Sequence, residues 1–185
     1  MLRRPDLLLL VFLSLSGCHN HSVPTAIPNR VAANEVTVYR AYLQNSLTHS
    51  KHPQVMWYIE TETWPYDDQS PCDKQLVDKG VRPAYLHALR DLGTARYLIP
   101  AFNIGFVRTF DSYSRTVNGK FPDGPFITQT FSRVAFSPDG EEAFFHVVWI
   151  RGPGVGQGGW DEDILADKQG SQWQFREVGC PAIID

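Results

Sequence analysis

The stretch EEAFFHVVWI (141–150) constrains the fold more than any other part of the chain. From 144 to 150 it is apolar on both alternating sides apart from His146. A short run of this kind, bounded by turn residues, reads as a strand, and a strand apolar on both faces belongs inside a sheet that is covered twice. Its neighbours are punctuated by turns. Ser137-Pro138-Asp139-Gly140 separates it from a strand over 132–136, and Lys168-Gln169-Gly170 separates a strand over 160–167 from one over 171–178. The four form an antiparallel meander.

Upstream the period changes. Val36, Tyr39, Leu43 and Leu47 recur at helical spacing opposite Arg40 and Gln44, which predicts a helix near 35–48 started by Asn34. The segment 54–61 puts Val55, Trp57 and Ile59 on one side of a strand, and a polar loop holding Cys72 follows. A second helix is predicted over 83–92, with Pro83 at its first position, Gly93 as its C-cap and Tyr85, Leu86, Leu89 and Leu92 as its apolar face. From 97 to 111 Phe102, Ile104 and Phe106 alternate, but Pro100 and Gly105 weaken a strand, and 112–130 reads as a long loop. Helices first and a meander last make an α+β fold, with the N-terminal helices packed on one face of an antiparallel β-sheet. At 185 residues, 43% hydrophobic, the chain supports one core of ordinary size.

The N-terminus, MLRRPDLLLLVFLSLSGC, fixes an address. Arg3 and Arg4 precede an apolar run, 7–13, that is too short for a committed membrane span. It ends in Leu15-Ser16-Gly17-Cys18, which closely resembles the lipobox of bacterial lipoproteins: an aliphatic residue, two small ones, then the Cys that becomes the lipidated first residue. An ordinary signal peptide with a coincidental Cys is the alternative. The resemblance implies a signal peptide over 1–17; residues 18–34, which lack periodicity and carry two prolines, read as a flexible tether with a reach of about 20–25 Å, and 35–185 as one domain. Multiple acyl chains such as palmitate on Cys18 would hold the protein durably at a membrane. His19, where an Asp resembles an inner-membrane retention signal, points to the outer membrane, facing the periplasm. The formal charge of −3 leaves no electrostatic footprint for nucleic acid and no polybasic patch for anionic lipid.

A second resemblance covers about fifty residues. SRVAFSPDGEEAFFHVVW, a glycine-rich segment, a further strand and a Gly turn ending in Trp173 are similar to a C-terminal module of uncharacterised bacterial exported proteins. Its motifs are structural and imply no activity.

Cys72 and Cys180 are open to two readings, a disulfide or two buried thiols; an oxidising periplasm favours the disulfide, which would close a loop of about a hundred residues and contribute about 3–5 kcal/mol. Neither Cys has a second ligand at metal spacing. The stretch RGPGVGQGGWDED (151–163) echoes a dinucleotide fingerprint, but the chain after Gly159 reads as strands, and a pyrophosphate site needs a helix N-terminus. An irregular, largely exposed connection between strands is expected over 151–159. Asp161 and Asp163 share a face and Glu162 points away, which suits a solvated strand start better than a calcium loop. His49 and His52 have no third metal ligand nearby in sequence, and His87 lies on a polar helix face. His146 is either a satisfied core histidine or a catalytic base. Trp57 and Trp173 fit core positions. Trp149, Trp160 and Asp161 mark a possible binding surface beside the glycines, the alternative for the two tryptophans being that they pack strand ends.

No catalytic residue, metal or cofactor is expected. The function these features point to is a membrane-anchored envelope lipoprotein, a non-catalytic binding or accessory module for an envelope protein or cell-wall component, an immunity or inhibitor type being one version. The alternative is a small lipid-anchored hydrolase using His146 with a carboxylate among Asp161, Glu162 and Asp163.

Overall fold

The computed structural model describes residues 29–52, 55–66, 72–93, 95–105, 107–110, 124–152, 155–156, 158–179 and 183–184. The segment expected to be a signal peptide, Cys18 and Cys180 therefore lie outside the described residues. The fold is α+β. Its order is α1 (Ala33–His49), β1 (Met56–Glu60), α2 (Asp73–Asp78), α3 (Pro83–Leu92), β2 (Val107–Phe110), β3 (Phe126–Phe131), β4 (Ala135–Phe136), β5 (Glu142–Arg151), β6 (Gly158–Gln169), β7 (Gln172–Glu177) and β8 (Ile183–Ile184). Among these no helix is long and apolar enough to cross a membrane.

The strands form one sheet in the order β2-β1-β3-β5-β6-β7, with β4 extending β3 along β5 and β8 pairing the start of β6. The meander is present, but the sheet as a whole is mixed: β1 runs parallel to both β2 and β3. The reason is connectivity. Between β1 and β2 the chain passes through α2 and α3, and such a crossover returns a strand in the same direction.

The helices also lie on both faces, where the sequence pattern led us to expect one. Alternation along β5 decides this. Phe145, Val147 and Trp149 join Tyr39, Tyr42 and Leu43 of α1 in one core cluster, while Phe144 joins Leu76 of α2 and Tyr85, Leu86 and Leu89 of α3 in the other. Central β5 is covered twice, as its two apolar faces require.

Helix α3 has the expected bounds. Pro83 opens it, Gly93 N–H donates to Leu89 O at 2.7 Å, and its three buried side chains contribute about 1.5–3 kcal/mol each. Helix α1 starts two residues earlier than expected, and Asn34 is not its N-cap. Glu35 instead accepts from Ala32 N–H at 2.8 Å, and the buried stripe is Val38, Tyr39, Tyr42 and Leu43, with Val36 and Leu47 only partly covered. The loop expected around Cys72 contains α2, and the last residues of the loop expected over 112–130 form β3, all six of them buried.

One buried network ties α1 to the sheet. Glu35, 2% exposed, accepts from Arg133 Nε at 2.8 Å, Arg133 Nη2 at 2.9 Å and Val134 N–H at 2.9 Å. Arg133 lies 3.7 Å above the Tyr97 ring, and Tyr39 OH donates to Ser132 O at 2.6 Å. This fastens the helix where the chain bends between β3 and β4.

Candidate functional site

The β5–β6 hairpin carries every chemically interesting side chain of the meander, and alternation deals them to opposite faces. The ladder runs from Glu142↔Asp167 to Arg151↔Gly158, so Gly158 and Gly159 are strand residues, not part of an irregular connection. The connection is shorter than expected and not wholly exposed: Gly152 and Val155 are buried, and residues 153, 154 and 157 lie outside the described ones. Gly152 is needed for space. A Cβ there would stand 2.2 Å from the Phe126 ring.

On the α1 face Trp149 and Trp160 are cross-strand partners whose rings stack at 5.2 Å and 11°. Trp57 meets Trp149 edge-on at 5.5 Å, and the Arg151 guanidinium lies 4.3 Å above Trp160. Glu162 anchors this row. Its carboxylate accepts from Trp160 Nε1 at 2.7 Å, Tyr42 OH at 3.0 Å and Trp149 Nε1 at 3.1 Å. Burial, and secondarily the Glu162 charge, pushes the Tyr42 hydroxyl well above its ordinary value, so it stays a donor.

Several polar atoms in the same row have no hydrogen-bond partner among the described residues. Gln129, fully buried, sits between Ile59 and Trp149 in register, and neither its Oε1 nor its Nε2 is hydrogen-bonded. Trp57 Nε1 and Arg151 Nε are likewise buried and unbonded. Buried side-chain polar atoms are nearly always paired. Gln129 was not legible as a site residue, because FITQTF gave no strand signal strong enough to place it.

On the α2–α3 face His146 is clamped. Its Nδ1 lies 3.0 Å from Asp163 Oδ1 and its Nε2 3.6 Å from Asp161 Oδ2, and the Tyr66 ring stands edge-on at 5.8 Å. An ionised carboxylate only accepts, so Nδ1 donates to Asp163. His146 is 16% exposed and Asp163 9%. Burial first, then Asp163 and Asp73, holds the Tyr66 hydroxyl far above its ordinary value. Arg90 pairs with Asp73 nearby.

The residues singled out from sequence therefore divide. Trp149 and Trp160 come together on the α1 face with Glu162, while Asp161 points to the other face with His146 and Asp163. Trp57 is in the core and Trp173 packs against it. His49 Nδ1 pairs with Asn45 O, His87 is exposed, and among the described residues no group of three His, Cys, Asp or Glu could hold a metal ion.

Cys72, at the N-cap of α2, is disulfide-bonded. Lys79, which ends α2, donates through Nζ to Gly179 O at 2.5 Å, so the chain just before position 180 runs beside α2. No protein-family model, curated protein or solved structure matches the chain.

Proposed function

We propose that this chain is a bacterial lipoprotein, anchored in the envelope through an acylated Cys18, whose domain binds an envelope protein or cell-wall component without transforming it. The observation that carries the binding half is the row on the α1 face, where Gln129, Trp57 and Arg151 keep buried polar atoms that have no hydrogen-bond partner among the described residues. Natural proteins break the pairing rule mainly at functional sites, where a partner supplies the missing bonds. The anchoring half rests on Leu15-Ser16-Gly17-Cys18, and the outer-membrane placement on His19.

The test has two arms. Fatty-acid labelling of wild type and Cys18→Ala should show lipid only in the first; equal labelling would end the lipoprotein reading. Envelope fragments retained on the anchored protein should be released by Trp160→Ala. Retention unaffected by any change in the row would end the binding reading for that face.

A hydrolase is the second reading, because the Nδ1–Asp163 hydrogen bond resembles that of a histidine base with its orienting carboxylate. Against it, Nε2 faces Asp161, where a nucleophile would have to stand. Hydrolysis of ester or glycoside test substrates that vanished in His146→Gln would move the conclusion here.

A further inference from the structure

Residues 29–31 join the fold through a small set of bridges outside the main sheet. Leu98 bridges Arg30 in parallel and Glu62 antiparallel. Leu98 N–H donates to Asn29 O at 2.8 Å, Val31 N–H to Leu98 O at 3.1 Å and Thr63 N–H to Tyr97 O at 2.9 Å. Bridge partners share a face, and so do residues two apart on an extended chain. Val31, Thr63 and Ile99 therefore point inward, where they are buried, and Arg30, Glu62, Trp64, Arg96 and Leu98 stand together on the outer face. The side-chain contacts agree. The Arg96 guanidinium stands 5.5 Å from the centre of the Trp64 ring, and its Nη1 lies 3.5 Å from Glu62 Oε2. Trp64 is 50% exposed, and among the described residues Val77 is the other large hydrophobic side chain left open.

A single exposed indole needs no explanation by itself. Its position does. Ten residues, 19–28, separate Cys18 from Asn29. A coil of that length spans roughly 17–20 Å, and the headgroup layer outside the hydrocarbon is about 5–8 Å deep. A lipid on Cys18 thus holds this face beside the bilayer surface, at the effective concentration a short linker provides. A contact too weak to recruit the protein alone is then still occupied. The side chains match what they meet there. Indole settles at the headgroup level, its apolar body inward and its N–H among polar groups, and guanidinium bonds phosphate oxygens in pairs. Resting on the lipoprotein reading above, we propose that Trp64, flanked by Arg30 and Arg96, is seated in the phospholipid headgroups and fixes how the domain stands on the membrane. Two arginines against one glutamate make this face locally positive on a chain of net charge −3, which turns it toward lipid phosphates.

The test places acylated full-chain protein in phosphatidylethanolamine–phosphatidylglycerol vesicles, with and without bromine on the acyl chains, and compares tryptophan emission. Of the five tryptophans, Trp57 and Trp149 are buried and Trp160 and Trp173 pack on the core, so bromine should quench Trp64 selectively. Trp64→Phe, which keeps an apolar ring, should lose that quenching. Arg30→Glu/Arg96→Glu keeps the indole but sets carboxylates against the phosphates, and should lose most of it. Both arginines are exposed, so its circular dichroism should match wild type. Equal quenching in wild type and Trp64→Phe overturns the inference, and so does quenching that the charge reversal leaves unchanged in a folded protein. Protection of Trp64 from acrylamide that appears only as the protein-to-lipid ratio rises assigns the face to a second copy. Protection that needs native envelope proteins assigns it to a protein partner. Either result overturns the inference. A chain carrying no fatty acid ends the lipoprotein reading as well, whereas an acylated chain with Trp64 unquenched ends only this inference.

Discussion

Arg133→Met tests whether α1 is held by an ion pair that the protein cannot break cheaply. Arg133 is 10% exposed and Glu35 2%, so the pair is removed from bulk water. Losing the guanidinium leaves the Glu35 carboxylate with two backbone donors, Ala32 N–H at 2.8 Å and Val134 N–H at 2.9 Å. Stranding one member of a buried pair costs about 3–5 kcal/mol. The two surviving hydrogen bonds and the volume refilled by Met place this case near the lower end, at about 3 kcal/mol. For a domain of this size that lowers Tm by about 6–12 °C. Thermal and urea unfolding followed by circular dichroism would read it. The double variant Glu35→Gln/Arg133→Met removes the stranded charge and should be less destabilised than the sum of the two single variants, by about 2 kcal/mol. A fall in Tm under about 2 °C, or simple additivity, would refute the reasoning and show a pair already solvated.

Three other outcomes are expected. Gly152→Ala drives a methyl into the Phe126 ring and should destabilise by about 1–3 kcal/mol, whereas Gly156→Ala, with open space at its Cβ, should show only the smaller strain of its positive φ; equal effects would remove the steric argument. Burial, then Glu142, pushes the Tyr85 hydroxyl up to about 12 from its ordinary 10.0, and Tyr39, Tyr42 and Tyr66 shift the same way. The unfolded chain therefore loses these protons first, so the tyrosines' contribution to stability is complete below about pH 10 and is lost as pH rises towards about 12; a urea midpoint that is flat across that window would contradict it. Finally, we propose Cys180 as the partner of Cys72. A non-reducing peptide map should join the two, and a Cys18–Cys72 peptide would refute it.

What the sequence disclosed follows the reach of each signal. Pro83 and Gly93 bracket α3 because capping preferences act within one turn, and Gly170, at φ 64, marks the β6–β7 turn because only glycine takes that conformation readily. Strand β3 escaped because Thr128, Gln129 and Thr130 are polar yet buried, so hydropathy understated it. Helix α2 is six residues long, too short to show a period. Periodicity told which side of α1 and α3 is apolar, but not that they lie on opposite faces of the sheet; that is set by the crossover joining β1 to β2. The Glu35–Arg133 pair spans 98 residues and the Trp57–Trp149 contact 92, and no local pattern reports either.

The mixed sheet also dictates an order of events during synthesis. Tyr39 and Tyr42 pack on Phe131, Phe145 and Phe175, so a large part of the core that α1 needs is encoded far downstream. By contrast β5, β6 and β7 are joined by short turns and can pair as soon as they exist. At about 5–20 residues per second, the apolar stripe of α1 waits roughly 7–26 s for Phe175 to be made. The last third of the chain thus supplies the local antiparallel pairings on which the first third completes its packing. A polypeptide truncated before β5 keeps β1, β2 and β3 but lacks Phe145, Val147, Trp149 and Phe175, and so leaves Tyr39 and Tyr42 without most of their aromatic cover.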